Sequence, residues 1–246
     1  MNKEINSVEQ LTQDDLARYV MNAFRLTILH YGFWFNEVLH QQDLKEAISA
    51  EEKVSSTIFP IIIKRISKTL GSDTDDILSQ ALLQIPREKL VNLTTAMAIN
   101  WLASDGVWFQ AVENNQDMFT SKRCNDTCWT KFSPLEASII RSFLNLPEQG
   151  GLTALERALN FRLYARINKQ TAERQGEALV FKMVNCRVQE ARKNKGLDDY
   201  PCKSAGIVEY STFARTIDPR IKTECIGCPP DKHPEEWTCA WRFYIA

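Results

Sequence analysis

Two nine-residue stretches constrain this chain more than any other feature: His30–Val38 (HYGFWFNEV) and Ser104–Val112 (SDGVWFQAV). Gly32, Trp34, Phe35 and Val38 align without a gap on Gly106, Trp108, Phe109 and Val112, at an offset of 108 − 34, or 74 residues. The same offset relates Gln42-Asp43 to Gln116-Asp117 and Pro60 to Pro134. Self-similarity at a fixed period marks a duplicated supersecondary unit. That unit is helical. Leu16, Val20, Ala23, Thr27, Tyr31, Trp34 and Val38 recur at three- and four-residue steps and form one apolar face. Asp14 and Asp15 fall in the first turn, where acids complement the helix dipole. The pattern predicts helices over 12–41 and 51–70, with Pro60 kinking the latter or starting its second half. A short amphipathic segment near 75–84 follows, and then a second long helix from Pro86 to Glu113. Ser133-Pro134-Leu135-Glu136 has the residues of a helix start and predicts one more helix, ending near Asn145.

Leu146-Pro147-Glu148-Gln149-Gly150-Gly151 then breaks the pattern, which sets two domains: a duplicated helical domain at 1–149 and a cysteine-rich module at 150–246. Thr153 with Glu156 starts a short helix. Alternation at Phe161, Leu163, Ala165 and Ile167 predicts a strand, and the polar run 168–176 a turn. Leu179, Phe181 and Met183 alternate again into Cys186. Basic 187–195 and amphipathic 203–217 read as helices, and 220–225 with 237–245 as a strand pair. The fold class is therefore α+β: two duplicated helical hairpins, then a small module with an antiparallel sheet.

Thirty basic residues stand against thirty-one acidic ones, with no basic stripe, which argues against nucleic acid or an anionic membrane as partner. No apolar run approaches the roughly 20 residues of a membrane span. The polar first residues lack the apolar core of a signal peptide, so the expected location is cytoplasmic. A small-molecule ligand and self-association both stay open.

In a reducing compartment, seven cysteines read as ligands or catalysts before disulfides. Cys225-Ile-Gly-Cys228-Pro-Pro-Asp-Lys-His233 has the strongest spacing, because a Cys-x-x-Cys turn containing Gly aims both sulfurs at one point. Cys186 and Cys202 can complete a four-thiolate site, with His233 as a further ligand or a supporting group. Cys239 is expected to point into the core. The set Cys186, Cys202, Cys225, Cys228 and His233 suits zinc or an iron–sulfur cluster equally. A redox dithiol and plain buried cysteines are the other two uses of such a pattern. Cys124 and Cys128, one helical turn apart, read as a buried pair. Glu37-Val-Leu-His40 is half of a di-iron pattern whose second copy has Ala111 and Asn114, and it reads as a solvated helix end. Asp105, between Trp101 and Trp108, is costly if buried and then a candidate base.

FKMVNCRVQEAR at 181–192, Pro201-Cys202, Ile217-Asp218-Pro219 and Cys239-Ala-Trp-Arg-Phe together form a pattern over roughly the last ninety residues. It resembles the L-2-amino-thiazoline-4-carboxylate hydrolase-like proteins and, more distantly, 4-vinyl reductase-type ligand-binding domains. The resemblance implies a hydrolase-like ancestry and a small sulfur- or nitrogen-containing acid as ligand. Two functions follow as expectations. One is a metal-binding protein with a small-molecule pocket, where an open metal position or a thiolate would do chemistry. The other is a binding or sensing module with a purely structural metal or thiol cluster.

Overall fold

Thr12 caps the first helix. Its hydroxyl oxygen accepts from the Asp15 amide at 3.2 Å, which satisfies one of the N–H groups a helix start leaves open. In this computed structural model, residues 5–71 and 85–245 are described. Among the described residues, the first four α-helices are α1 (Gln13–Gln41), α2 (Leu44–Leu70), α3 (Arg87–Asn115) and α4 (Met118–Phe143). α1 and α3 each have 29 residues and start 74 apart, as do α2 and α4. The connectors repeat as well. Gln42 and Gln116 share an unusual backbone, φ −112° and ψ −103° against φ −125° and ψ −96°. Asp43 then accepts from the Glu46 amide at 2.9 Å, and Asp117 from the Thr120 amide at 2.6 Å. Each acid caps the second helix of its hairpin.

Two of the expected boundaries move. Ser133-Pro134 starts no helix; Pro134 lies inside α4, which runs unbroken from Met118. Proline forfeits a single backbone donor, and flanking turns that are already packed can carry that loss. Pro60 is likewise inside α2, which begins at Leu44 rather than Glu51. The amphipathic segment near 75–84 lies outside the described residues.

The chain divides into two compact units, Met1–Cys128 and Trp129–Ala246, so the division falls within α4. In the first unit, hydrogen-bonded pairs between α1 and the α3 segment are separated by 71 or 72 residues, which means that the helices run parallel and nearly in register. α2 runs the other way along α3, since Lys53 meets Asn115 and Arg65 meets Asn100. Trp34, Trp101 and Trp108 are fully buried between these helices. Trp34 and Trp108 stack with their planes 6° apart.

The second unit holds α5 (Gly151–Leu159), a 3-10 turn (Leu163–Arg166), β1 (Lys169–Gln175), β2 (Ala178–Asn185), α6 (Arg187–Asn194), α7 (Lys203–Ile217), β3 (Ile221–Gly227) and β4 (Cys239–Ile245). The sheet is antiparallel throughout, in the order β1-β2-β4-β3. The residues at 161–167, expected as a strand, are instead the turn that follows α5 and a 3-10 turn, and the expected turn at 168–176 contains β1. The reason is position: β1 is an edge strand that buries little, so its polar sequence, KQTAERQ, has no alternation to read. One face of the sheet carries Leu179, Phe181, Trp241 and Phe243, all buried under α5 and α7. Asp218 ties the two helices together: it follows α7, accepts from the Gly151 amide at 2.8 Å and pairs with Arg220. Among the described residues, no helix is long and apolar enough to cross a membrane.

Candidate functional site

The register of the sheet gathers the cysteines at one end. Met183 lies opposite Cys239, and Ala240 opposite Gly227, so β2 ends, β4 starts and β3 ends on one edge of the unit. Cys186 follows β2 as the cap of α6, Cys228 follows β3, and Cys239 is the first residue of β4. The fourth contributor is Cys202, the cap of α7. Gly206, one turn on, lets that helix settle onto the sheet, because a Cβ there would lie 2.5 Å from Cζ2 of Trp241. The backbone also joins the two cysteine turns directly, with Lys203 N donating to Pro229 O at 2.9 Å.

Cys228 is at the centre of the cluster. Its thiol makes hydrogen-bond contact with both Cys202 and Cys239, and these contacts, with burial, hold it protonated far above the ordinary thiol range. Burial first, and the charge of Cys202 second, push the Cys186 thiol up to about 12. Cys225 is raised as well, by burial ahead of its neighbours, and lies within electrostatic reach of Lys203 and Cys239. Cys202 accepts from Gln189 Nε2 at 2.9 Å and donates to the Tyr200 carbonyl at 3.1 Å. Lys203 closes the rim through Asp231, at 2.7 Å. All seven cysteines of the chain are free thiols.

The structure thus brings Cys186, Cys202, Cys225 and Cys228 into one cluster and adds Cys239, which the sequence reading had assigned to the core. Its only sequence signal was its place two residues before Trp241, on the inward-facing rung of β4. His233 is exposed; its ring stacks on Trp237 at 5.7 Å, and Nδ1 lies 3.0 Å from the Pro234 carbonyl oxygen. Among the described residues, no group of three or more His, Cys, Asp or Glu side chains has the arrangement of a metal-ion site. The contacts present are those of Cys228 with Cys202 and Cys239, and those of Cys202 with Gln189 and the Tyr200 carbonyl.

A buried ionic network in the same unit joins side chains that are far apart in the sequence. Arg162, 2% exposed, meets Glu136 at 2.8 Å and Glu209 at 2.6 Å, and packs over Phe213 with 4.7 Å to the ring centroid. Tyr210 stacks on Trp241 at 4.8 Å, and its phenol is held above its ordinary range, chiefly by burial and by Glu209.

The first unit has its own titratable cluster. Trp101 Nε1 donates to His30 Nδ1 at 2.9 Å, Trp34 Nε1 donates to Asp105 Oδ1 at 3.1 Å, and His30 Nε2 lies 3.6 Å from the same oxygen. Burial pushes Asp105 up to about 6 and His30 down to about 3. Glu37 corrects the solvated-end reading: it is 2% exposed and accepts from Gln41 Nε2 at 2.9 Å. Cys124 beside it is pushed up to about 11, by burial and then by the Glu37 charge. His40 is exposed, so the half di-iron pair does not converge.

Fold and site together define an α+β protein with a thiol cluster at one end of its sheet. The chain belongs to DUF6125, a family of unknown function, which matches residues 81–245. The match takes in α3, α4 and the sheet and leaves α1 and α2 outside. No curated protein and no solved structure matches the chain.

Proposed function

We propose that the C-terminal unit binds a thiophilic metal ion, zinc or the iron of an iron–sulfur cluster, through Cys202, Cys228 and Cys239, with Cys186 as the fourth thiolate. The observation that supports this is the contact of one buried thiol, Cys228, with two others drawn from separate elements. Thiols this close cannot ionise together, because each thiolate raises the proton affinity of the next. A cation removes that conflict: it displaces the protons and binds the sulfurs that repelled one another. A tetrahedral site with metal–sulfur bonds of about 2.3 Å sets its sulfurs about 3.8 Å apart, so the thiols would have to close around the ion as it binds. Cys225 stands by as a fifth thiol, with Lys203 at the rim to offset thiolate charge.

With four thiolates the site is closed and serves structure, since no coordination position is left for water. This favours the module reading over hydrolase chemistry at the metal. Protein purified without oxygen, analysed for metal content and titrated with Co²⁺, tests the proposal. Intense sulfur-to-cobalt absorption with tetrahedral ligand-field bands, abolished by Cys228→Ser, is the expected result. A chain that is metal-free as isolated and takes up neither Zn²⁺ nor Co²⁺ overturns it.

A further inference from the structure

We propose that the same site carries a redox switch: Cys202 and Cys228 form a reversible disulfide when a small peroxide reaches the cluster. The proposal rests on the metal reading for what is switched, while the disulfide itself rests on geometry. The Cys202 and Cys228 thiols are in hydrogen-bond contact. The bond from Lys203 N to Pro229 O, one residue beyond each cysteine, holds the two turns side by side. Their exposure differs in the way an ordered reaction needs. Cys202 is partly accessible, while Cys228 is 1% exposed and screened from solvent. Cys239 is the other neighbour of Cys228, but it starts the inner strand β4, where pairing with Met183 of β2 restrains its backbone.

The chemistry balances with hydrogen peroxide as the only co-reactant. The Cys202 sulfur, as thiolate, attacks one peroxide oxygen; the O–O bond breaks, an S–O bond forms, and hydroxide leaves and takes up the proton Cys202 released, giving water and a sulfenic acid. The Cys228 sulfur then attacks the Cys202 sulfur. The S–S bond forms as the S–O bond breaks, and the departing hydroxide takes the Cys228 proton as a second water. Two thiols have lost two electrons and two protons to one peroxide. A metal held by these cysteines would lose two of its ligands and be released. A dithiol reductant reverses the step.

The test uses the full chain in two forms, loaded with Zn²⁺ and metal-free. Each is exposed briefly to hydrogen peroxide, blocked with an alkylating agent, digested and mapped. The expected product in both forms is one crosslink, Cys202 to Cys228, with Cys186 and Cys239 alkylated. The loaded form should release one zinc per crosslink and regain it after dithiothreitol. In Cys228→Ser, dimedone should trap Cys202 as the sulfenic acid. A crosslink from Cys228 to Cys239 or to Cys225, or Cys202 driven to sulfinic acid without any crosslink, overturns the switch even if that variant does not fold. If the crosslink forms in a chain that never bound zinc, the disulfide stands and the metal reading falls.

Discussion

Trp34 donates its indole N–H to Asp105 at 3.1 Å, whereas Trp108, its equivalent in the repeat and stacked on it at 6.0 Å, finds no acceptor for its own among the described residues. The duplication has kept the ring and parted the chemistry. Position 31 is a tyrosine that meets Trp108 edge-on at 5.5 Å, and the matching position 105 is the acid that accepts the Trp34 hydrogen bond. Replacement by phenylalanine should separate the two. Trp108→Phe loses packing alone, while Trp34→Phe also strips a donor from a buried carboxylate, which costs about 1–3 kcal/mol more. Denaturant unfolding of both variants measures the gap, and equal losses would count against the assigned hydrogen bond.

The His30–Asp105 pair sets opposing responses to acid. His30 has a lowered native pKa, so its contribution to stability is full above about 6.5 and is lost as pH falls toward 3. Asp105 has a raised native pKa, so its contribution is full below 3.8 and is lost as pH rises through about 6. Between about 4 and 6 the two slopes cancel. Relative to wild type, Asp105→Asn should lose stability on acidification over that window, by up to about 1.4 kcal/mol per pH unit for one proton. His30→Gln should gain it. Urea midpoints collected across pH 4–6.5 read both signs.

Arg162 is the counter-charge of two buried carboxylates. Arg162→Met leaves Glu136 and Glu209 without their cation and should destabilise the C-terminal unit by about 3–5 kcal/mol. The triple change with Glu136→Gln and Glu209→Gln should recover a large part of that loss. Thermal unfolding of the single and triple variants decides it; no recovery would mean that shape rather than charge is what Arg162 supplies.

Gly206→Ala reverses a familiar rule. In most helices alanine is favoured over glycine by about 0.5–1 kcal/mol. Here the added methyl would sit 2.5 Å from the Trp241 ring and force α7 off the sheet, so destabilisation of about 1–3 kcal/mol is expected. Because Cys202 caps the same helix, Co²⁺ affinity should fall with it. A stable variant that still binds cobalt would show that α7 does not need this close approach.

The repeat, the long helices, the inner strands and four of the five clustered thiols were legible in the sequence, because each leaves a periodic or spaced trace. Features held by long-range partners leave none. Glu136, Arg162 and Glu209 belong to three separate elements and read singly as surface charges. β1 was missed because an edge strand can be polar on both faces. His233 was included for nearness along the chain, yet its loop spends the imidazole on Trp237 and Pro234. Cys239 was set aside as a core residue, although the face it shares with Trp241 is the one that meets α7 at the sheet end.

The strand order has a consequence for synthesis. β4 is the last of the four strands to be made, yet it lies between β2 and β3, and among the described residues β3 pairs with no other strand. On the ribosome, β1 and β2 can form their hairpin early, but β3 must wait unpaired until residue 245 has cleared the exit channel. Through that interval Cys186, Cys202 and Cys225 are already exposed while Cys239 is still to come. A nascent chain stalled before β4 should therefore react with thiol reagents at Cys186, Cys202 and Cys225, and the released chain at few of these three.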